Sequence, residues 1–236
     1  MTQELFLDDS YIKECESTVV SVGDGKHVIL NCTVFYPKGG GQLWDTGKMV
    51  CDDESYDVLS VERVSGEVYH EVDKLGLSEG KRVHCALNWQ RRYRLMRGHT
   101  AAHVFISLLC SGTGALVTGN QIDEDQIRID FSLEKFDRQI LQKYIDETNE
   151  FLAKDIPVRS YYLSREDALK IPTIVRTAGV LPPNIPLLRI VEIEGIDRQA
   201  DGGTHVRNLR EVGKISLLKA DNKGKNNRRV YFVIEP

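Results

Sequence analysis

The sequence predicts an α+β protein in which a strand-rich region precedes a region that mixes helices with strands. Residues 1–88 contain many short runs of β-forming residues, separated by turns rich in Gly, Asp and Ser. From about residue 90 onward, apolar residues recur at helical spacing in two long stretches, with strand-like runs between and after them. We therefore predict two domains, 1–90 and 91–236.

The first domain is predicted to be a small barrel or sandwich. Many short strands joined by regular turns are typical of both architectures, and both remain open from the residues alone. Its strand-like segments are STVVSV, HVILNCTVFY, YDVLSVERV, EVYHEV and RVHCALNW.

The second domain is predicted to open with a helix over about residues 92–111, in which apolar residues such as Leu95, Phe105 and Leu109 share one face. A second amphipathic helix is expected over about residues 133–153, with Phe136 in its apolar stripe. Ser164 is a candidate cap for a short third helix, and LPPNIP is expected to form a loop. The predicted strands are QIRIDFSL, LLRIVEIEG, KISLLKA and RRVYFVIEP.

The composition argues against membrane-spanning and secreted classes of protein. Hydrophobic residues make up 41% of the 236 positions, enough to form buried cores. No apolar run reaches the roughly 18 residues of a membrane span, and the N-terminus lacks a signal-peptide pattern. The five cysteines form no CxxC pair, which is typical of reduced thiols in a cytoplasmic protein. We expect a cytoplasmic protein without a membrane partner.

Charge is distributed unevenly along the chain. Residues 1–90 carry 8 Lys and Arg against 16 Asp and Glu, a balance of −8. The remaining 23 basic and 19 acidic residues give the second domain a balance of +4. A basic second domain is compatible with a nucleic-acid ligand and equally with an ordinary solvated surface.

His99 and His103 lie four residues apart in the segment RGHTAAHVF. On a helix this spacing places two imidazoles on one face, about 5–6 Å apart at Cβ, where they can bind one zinc ion. The zinc-protease motif requires Glu after the first histidine, and Thr100 stands there instead. From spacing alone, core or surface positions are as compatible with the pair as a metal site is.

A second candidate segment, DRQADGGTHVRN, contains Asp201 and His205. The glycine pair between them allows a sharp turn and a close approach to a ligand, although a plain turn would use it equally well. A third imidazole, with a carboxylate beside it, would complete a site of three protein ligands and one open position. Hydrolysis requires such a position, because the metal lowers the pKa of its bound water toward about 7.

Together, RYRLMRGHTAAHVF and EIEGIDRQADGGTHVRNLREVGKI resemble the editing domain of alanyl-tRNA synthetases. They are more similar to the free-standing alanyl-tRNA editing proteins, the AlaX group, in its medium-length form with an N-terminal glycine-rich domain. That family has HxxxH followed by CxxxH, usually within CGGTHV. The segments FYPKGGGQLWDTG, VTGNQIDEDQIRIDF and NKGKNNRRVYFVI extend the resemblance over nearly the whole chain.

The resemblance implies an α+β fold with an N-terminal small β-barrel, residues 1–90, followed by an α/β two-layer editing domain, residues 91–236. It implies a zinc-dependent deacylase that acts in trans on mischarged alanine tRNA, removing serine and in some relatives glycine. At 236 residues we expect no synthetase catalytic domain beside these two domains. The alternatives are editing of another mischarged tRNA, such as a threonine tRNA, and tRNA binding without catalysis.

The resemblance also implies the metal ligands, His99, His103 and His205. Asp201 stands where the family has Cys, so it is predicted to be either a fourth ligand or a support for the other ligands. This substitution is also the reason to consider tRNA binding without catalysis. Whether zinc activates the water or anchors the substrate stays open.

Three further groups of residues are predicted to bind the substrate. The serine hydroxyl could be recognised by Thr100, Gln121 or Thr204, each of which is equally plausible as a capping or turn residue. Gly39, Gly40, Gly41 and Gln42 are predicted either to select the amino acid or to form a hairpin turn. Basic residues are predicted to meet phosphates of the acceptor stem: Arg91, Arg92, Arg94, Arg97, Lys223, Lys225, Arg228 and Arg229.

Overall fold

The structure, a computed structural model, describes residues 1–133, 137–172, 174, 185–224 and 226–235. The chain divides into two compact units, Met1–Arg94 and Leu95–Pro236. In the described part of the chain, none of the helices combines the length and apolar character that crossing a lipid bilayer requires.

The first unit contains a closed six-stranded antiparallel barrel, which confirms the predicted barrel and rules out the sandwich. Its elements are β1 (Gln3–Glu4), α1 (Leu5–Asp8), β2 (Glu14–Gly23), β3 (His27–Leu30), β4 (Cys32–Thr33), β5 (Gly47–Cys51), β6 (Glu54–Val64), β7 (Glu67–Val72) and β8 (Arg82–Leu87). The barrel order is β2-β3-β7-β6-β5-β8, and β1 pairs with β4 outside it.

The barrel closes because alternate residues of its strands are apolar and point inward. Val68 and Val72 of β7 and Val83 of β8 are fully buried in one apolar cluster, with more exposed residues between them. β5 was not predicted, because its short sequence GKMVC has few β-forming residues. It pairs with β6 on one side and β8 on the other.

The second unit contains two antiparallel sheets with helices packed on them. Its elements are α2 (Trp89–Thr113, from Leu95 onward), β9 (Val117–Ile122), β10 (Ile127–Phe131), α3 (Arg138–Leu152), β11 (Val158–Ser164), α4 (Arg165–Leu169), β12 (Leu187–Ile193), β13 (Asp197–Ala200), a 3-10 turn (Leu209–Glu211), β14 (Ile215–Asn222) and β15 (Arg228–Ile234). The sheet orders are β14-β15-β10-β9 and β11-β12-β13. The predicted α+β class, with an α/β second domain, is confirmed.

Helix α2 packs directly on the four-stranded sheet. Phe105 meets Phe131 and Phe232 edge-on, with ring centroids 5.9 and 5.4 Å away. Gly98 comes directly before His99 on this helix. A Cβ atom at this position would lie 3.3 Å from the side chain of Ile127, closer than most Cβ contacts in proteins. A residue without a side chain therefore lets this part of α2 approach the sheet closely.

Helix α3 begins at Arg138, later than the predicted start, because Asp137 caps it by accepting a hydrogen bond from Gln139 N. Phe136 and residues 181–184 of LPPNIP lie outside the described residues. Ser164 accepts a hydrogen bond from Asp167 N and caps α4, as predicted. In the second unit, strands β9, β11 and β13 were not predicted.

Candidate metal centre

Helix α2 carries two of the predicted ligands. The rings of His99 and His103 lie one turn apart, with centroids separated by 5.1 Å. Their residues are 2% and 7% exposed, so both imidazoles are inside the protein. Because α2 is fixed on the sheet beside them, the pair is held on a rigid element.

The other two ligands come from the loop that follows β13. Arg189 of β12 holds this loop, since its Nη1 donates to the carbonyl oxygens of Asp201 and Gly203, each at 3.0 Å. The Asp201 Oδ1 accepts from Gly203 N at 2.8 Å, which fixes the carboxylate. The loop places the His205 ring 4.3 Å from the ring of His99, measured between centroids.

The three imidazoles converge on one carboxylate oxygen. Asp201 Oδ2 lies 3.3 Å from His99 Nε2, 3.2 Å from His103 Nε2 and 2.8 Å from His205 Nε2. One ligand atom from each of the four residues lies within 4.8 Å of the others. A tetrahedral ion with bonds of about 2.0–2.1 Å separates its ligand atoms by about 3.3–3.4 Å. The donor set therefore has the size and chemistry of a four-ligand metal site.

Burial and the neighbouring carboxylates shift the pKa values of the three histidines in different directions. Burial lowers the pKa of His205 to about 4, and it lowers the pKa of His99 well below its usual value. Burial also opposes charge on His103, but hydrogen bonds to Asp197 and Asp201 outweigh it and raise its pKa to about 10. Although burial alone would raise the pKa of Asp201, the surrounding imidazoles hold it well below its usual value. Two imidazoles are thus neutral and ready to donate, beside an ionised carboxylate.

Sequence reasoning missed the residues that orient these imidazoles. His103 Nδ1 lies 2.8 Å from Asp197 Oδ2, the same oxygen that accepts from Gln199 Nε2 at 2.7 Å. Such contacts fix the ring so that Nε2 points to a metal. Asp197 and Gln199 alternate on one face of β13, a signal that becomes readable only once this four-residue strand is recognised.

Thr100, a predicted reader of the substrate hydroxyl, is fully buried. Its Oγ1 lies 3.1 Å from His205 Nδ1 and accepts from Val206 N at 3.3 Å. This geometry favours a positioning role for Thr100 over substrate recognition. Thr204 is also fully buried, and Gln121 is half-buried on β9 opposite Arg128.

The glycine-rich segment lies in the first unit as a tight turn. Gly39 N donates to Gln42 O at 3.1 Å, and Gln42 N donates to Gly39 O at 2.9 Å. Gly40 and Gly41 have φ values of 57° and 88°, the left-handed region that glycine adopts without strain. The segment therefore has the conformation of a hairpin turn, and its part in selecting the amino acid stays a prediction.

The structure corrects two of the predicted phosphate contacts. Arg92 is fully buried in the first unit, where it pairs with Asp45 and donates to backbone carbonyls. Arg228 is 8% exposed, and its Nη1 donates to Asn222 Oδ1 and to the carbonyl oxygen of Gly224. Both guanidinium groups hold the fold together, so they do not reach phosphates.

The remaining predicted basic residues differ in exposure and in their hydrogen bonds within the protein. Arg94 and Lys223 are exposed. Arg91 and Arg97 are half-buried and donate to backbone oxygens, and Arg229 forms two hydrogen bonds with Asp130. Lys225 lies outside the described residues.

Two family models match the chain. Residues 8–91 match the class II (A) tRNA synthetases, and residues 188–231 match the second additional domain of threonyl and alanyl tRNA synthetases. The second match includes Asp201 and His205, together with Arg189, Asp197 and Gln199.

Curated relatives match over the full length. An alanyl-tRNA editing protein AlaX-M from Saccharolobus solfataricus is 49% identical over 100% of both chains. An AlaX-M protein from Methanosarcina barkeri is 44% identical over 99% of both chains. An alanine–tRNA ligase from Ignicoccus hospitalis is 35% identical over 98% of this chain and 26% of its own.

Proposed function

The chain belongs to the AlaX-M family of alanyl-tRNA editing proteins, and on this basis we propose that it hydrolyses mischarged alanine tRNA in trans. The bond cleaved is the ester between the wrong amino acid and the terminal ribose; serine is the proposed amino acid, and glycine is the second candidate. The observation that carries the proposal is the convergence of three buried imidazoles on Asp201 Oδ2. Because translation uses tRNA in the cytoplasm, we propose that the protein acts there.

Zinc is the proposed ion, because three imidazole nitrogens and a carboxylate oxygen suit its ligand preferences. His99, His103 and His205 would hold it, with Asp201 either as a fourth ligand or as a support that leaves the fourth position open for water or substrate. When bound, zinc would polarise the ester carbonyl and make water a better nucleophile at neutral pH. The leaving group is a ribose hydroxyl, so the chemistry requires little beyond this polarisation and a positioned water.

The protein's own residues prepare this site. Burial keeps His99 and His205 neutral at pH 7, so neither ring must lose a proton before it coordinates a metal. Asp197 and Thr100 hold the other ring nitrogen of His103 and His205, which fixes the direction of each Nε2. This pre-organisation means that little reorganisation accompanies the reaction.

Selection of the amino acid and of the tRNA involves other residues. An editing site must recognise what alanine lacks, and for serine that is a hydroxyl, which a hydrogen bond can read. Gln121 and Thr204 are the remaining proposed readers, and Gly39–Gln42 keeps its proposed part in selection. For the acceptor stem, exposed Arg94 and Lys223 are the strongest candidates, since they can meet phosphates without breaking the fold.

The direct test is deacylation of seryl- and glycyl-charged alanine tRNA, with and without a metal chelator. Alanyl-charged alanine tRNA and seryl-charged threonine tRNA serve as substrates that separate the alanine branch from other editing activities. We expect hydrolysis of the first two that the chelator abolishes. Activity no higher than in the chelated sample would contradict an enzymatic role and favour a tRNA-binding protein without catalysis.

Matched variants connect the activity to the site. His205→Ala is expected to abolish activity, whereas His27→Ala, at an exposed position on β3, should leave it unchanged. Asp201→Ala is expected to weaken activity less than His205→Ala, and Asp201→Cys restores the residue usual in the family. Equal and negligible effects of His205→Ala and Asp201→Ala would refute the assignment.

A further inference from the structure

A cluster of three cysteines in the barrel has no part in the proposed editing reaction. Cys15 on β2 lies directly opposite Cys85 on β8 in the antiparallel register. Cys32 on β4 lies beside the same stretch of β2, since its Sγ is 3.3 Å from the carbonyl oxygen of Glu16 and 3.7 Å from Ser17 Oγ. Cys85 is fully buried, whereas Cys15 and Cys32 are half-buried.

The register places Cys15 and Cys85 within disulfide range. Residues directly opposite in antiparallel strands have Cα atoms about 4.5–5.5 Å apart and side chains on the same face. A disulfide requires Cα atoms about 4.4–6.8 Å apart, so the bond can form with little backbone movement. Cys85 belongs to the barrel core and Cys15 packs against it, which confirms that both side chains point inward.

The surroundings of Cys15 favour its thiolate. The neighbouring thiol of Cys85, the backbone N–H of Val34 and the thiol of Cys32 favour the ionised sulfur, and His84 adds favourable charge. These effects outweigh burial and lower the pKa of Cys15 to about 7. The same contact and burial raise the pKa of Cys85. The two thiols thus differ in character, with one ionised near neutral pH and one held as a thiol.

We propose that Cys15 is a peroxide-reactive thiol and that Cys85 is its resolving partner in a cross-strand disulfide. In the first step the Cys15 thiolate attacks a hydroperoxide; the O–O bond breaks, the departing oxygen takes a proton, and Cys15 becomes a sulfenic acid. In the second step the Cys85 thiol loses its proton as its sulfur attacks the Cys15 sulfur; the S–S bond forms, the sulfenic S–O bond breaks, and the hydroxyl leaves with that proton as water. The peroxide is reduced by two electrons and the thiol pair is oxidised.

The expected reactivity follows from the thiolate fraction. At pH 7 a thiol with a pKa of about 7 is about half ionised, against about 1% for the usual value of 9.0, a gain of roughly 50-fold. Lower basicity reduces nucleophilicity about 8-fold over the same range. Through ionisation alone, Cys15 should therefore react several-fold faster at pH 7 than a cysteine of the same exposure with the usual pKa.

Trypsin separates the five cysteines, because each falls in a different peptide. Cys15 lies in residues 14–26, Cys32 in 27–38, Cys51 in 49–63, Cys85 in 83–91 and Cys110 in 98–128. The full-length protein is treated with hydrogen peroxide at pH 7, the remaining thiols are alkylated, and the peptides are analysed by mass spectrometry without reduction. We expect peptides 14–26 and 83–91 to become linked, and a reductant to separate them.

Variants identify the two roles. In Cys85→Ser, the sulfenic acid on Cys15 should persist and be trapped by a dimedone-type reagent, whereas Cys15→Ser should give neither linkage nor trapping. Cys51→Ser, a buried cysteine elsewhere in the barrel, is the matched control and should leave the linkage intact. Linkage of Cys15 to Cys32, or oxidation of Cys110 before Cys15, would overturn the proposal.

Discussion

Asp197 provides the sharpest test of how the metal centre is organised. Its Oδ2 contacts both His103 Nδ1 and Gln199 Nε2, and its side chain is 1% exposed. In Asp197→Asn, the amide oxygen can occupy the position of Oδ2 and keep both contacts, so that only the negative charge is lost. In Asp197→Ala, the contacts and the charge are lost together. The two variants therefore separate charge from orientation.

The structure gives a magnitude for each variant. Hydrogen bonds to charged groups contribute about 1.5–3 kcal/mol and neutral ones about 1 kcal/mol. Loss of the charge alone should therefore cost about 1 kcal/mol, or about 5-fold in metal affinity. Loss of the whole contact should cost about 1.5–3 kcal/mol, in the range of 10- to 100-fold that supporting residues typically contribute. Solvent does not weaken these values, because both partners are buried.

Metal affinity is measured by competition with a chromophoric zinc chelator at fixed pH. The expected order is wild type, then Asp197→Asn, then Asp197→Ala. Asp155→Ala is the control, since this aspartate is 64% exposed and pairs with a surface arginine. Wild-type affinity in Asp197→Ala would refute the supporting role, as would a loss in Asp197→Asn equal to that in Asp197→Ala.

Three further predictions concern charge in the interior. Burial lowers the pKa of His70 from 6.5 to about 4. Between these two pH values the unfolded chain binds a proton at His70 that the folded barrel excludes. The free energy of unfolding should therefore fall by up to about 3 kcal/mol as the pH drops from 6.5 to 4. Denaturant unfolding at several pH values tests this. If the unfolding free energy of His70→Gln depended on pH as steeply as that of the wild type, the prediction would be contradicted. Asp45→Ala leaves the buried charge of Arg92 unpaired and should cost about 3–5 kcal/mol of stability in the same assay, against at most about 1 kcal/mol for the exposed Asp57→Ala. The pKa of His103 is raised to about 10, so a metal ion must displace the proton of this ring to bind. The metal affinity should therefore rise about tenfold per pH unit from pH 7 to 9. A metal affinity that does not change with pH would show that the ring is neutral.

The sequence located the four residues that converge in the candidate metal centre, but it did not locate the residues that support them. His99, His103, Asp201 and His205 could be found because each residue type carries metal chemistry and the spacing defines two short segments. Asp197 was not found, because β13 is only four residues long and its importance depends on facing His103 across 94 positions of sequence. A carboxylate that acts through another residue has no spacing signature of its own.

Buried arginines were the main error. Arg92 and Arg228 were predicted to contact phosphates because they lie in basic segments. Whether an arginine is exposed depends on distant partners, and Asp45 lies 47 positions before Arg92. The barrel strands, by contrast, were largely predictable, because alternation of apolar residues is a local property of the chain.

We propose that three imidazoles, together with Asp201, hold one metal ion. Elemental analysis of protein purified without added metal and then equilibrated with zinc tests it most directly, with His205→Ala and His27→Ala treated in parallel. We predict about one zinc ion per chain for the wild type and His27→Ala, and almost none for His205→Ala. A wild-type protein without zinc, or a His205→Ala variant with a full ion, would contradict the claim.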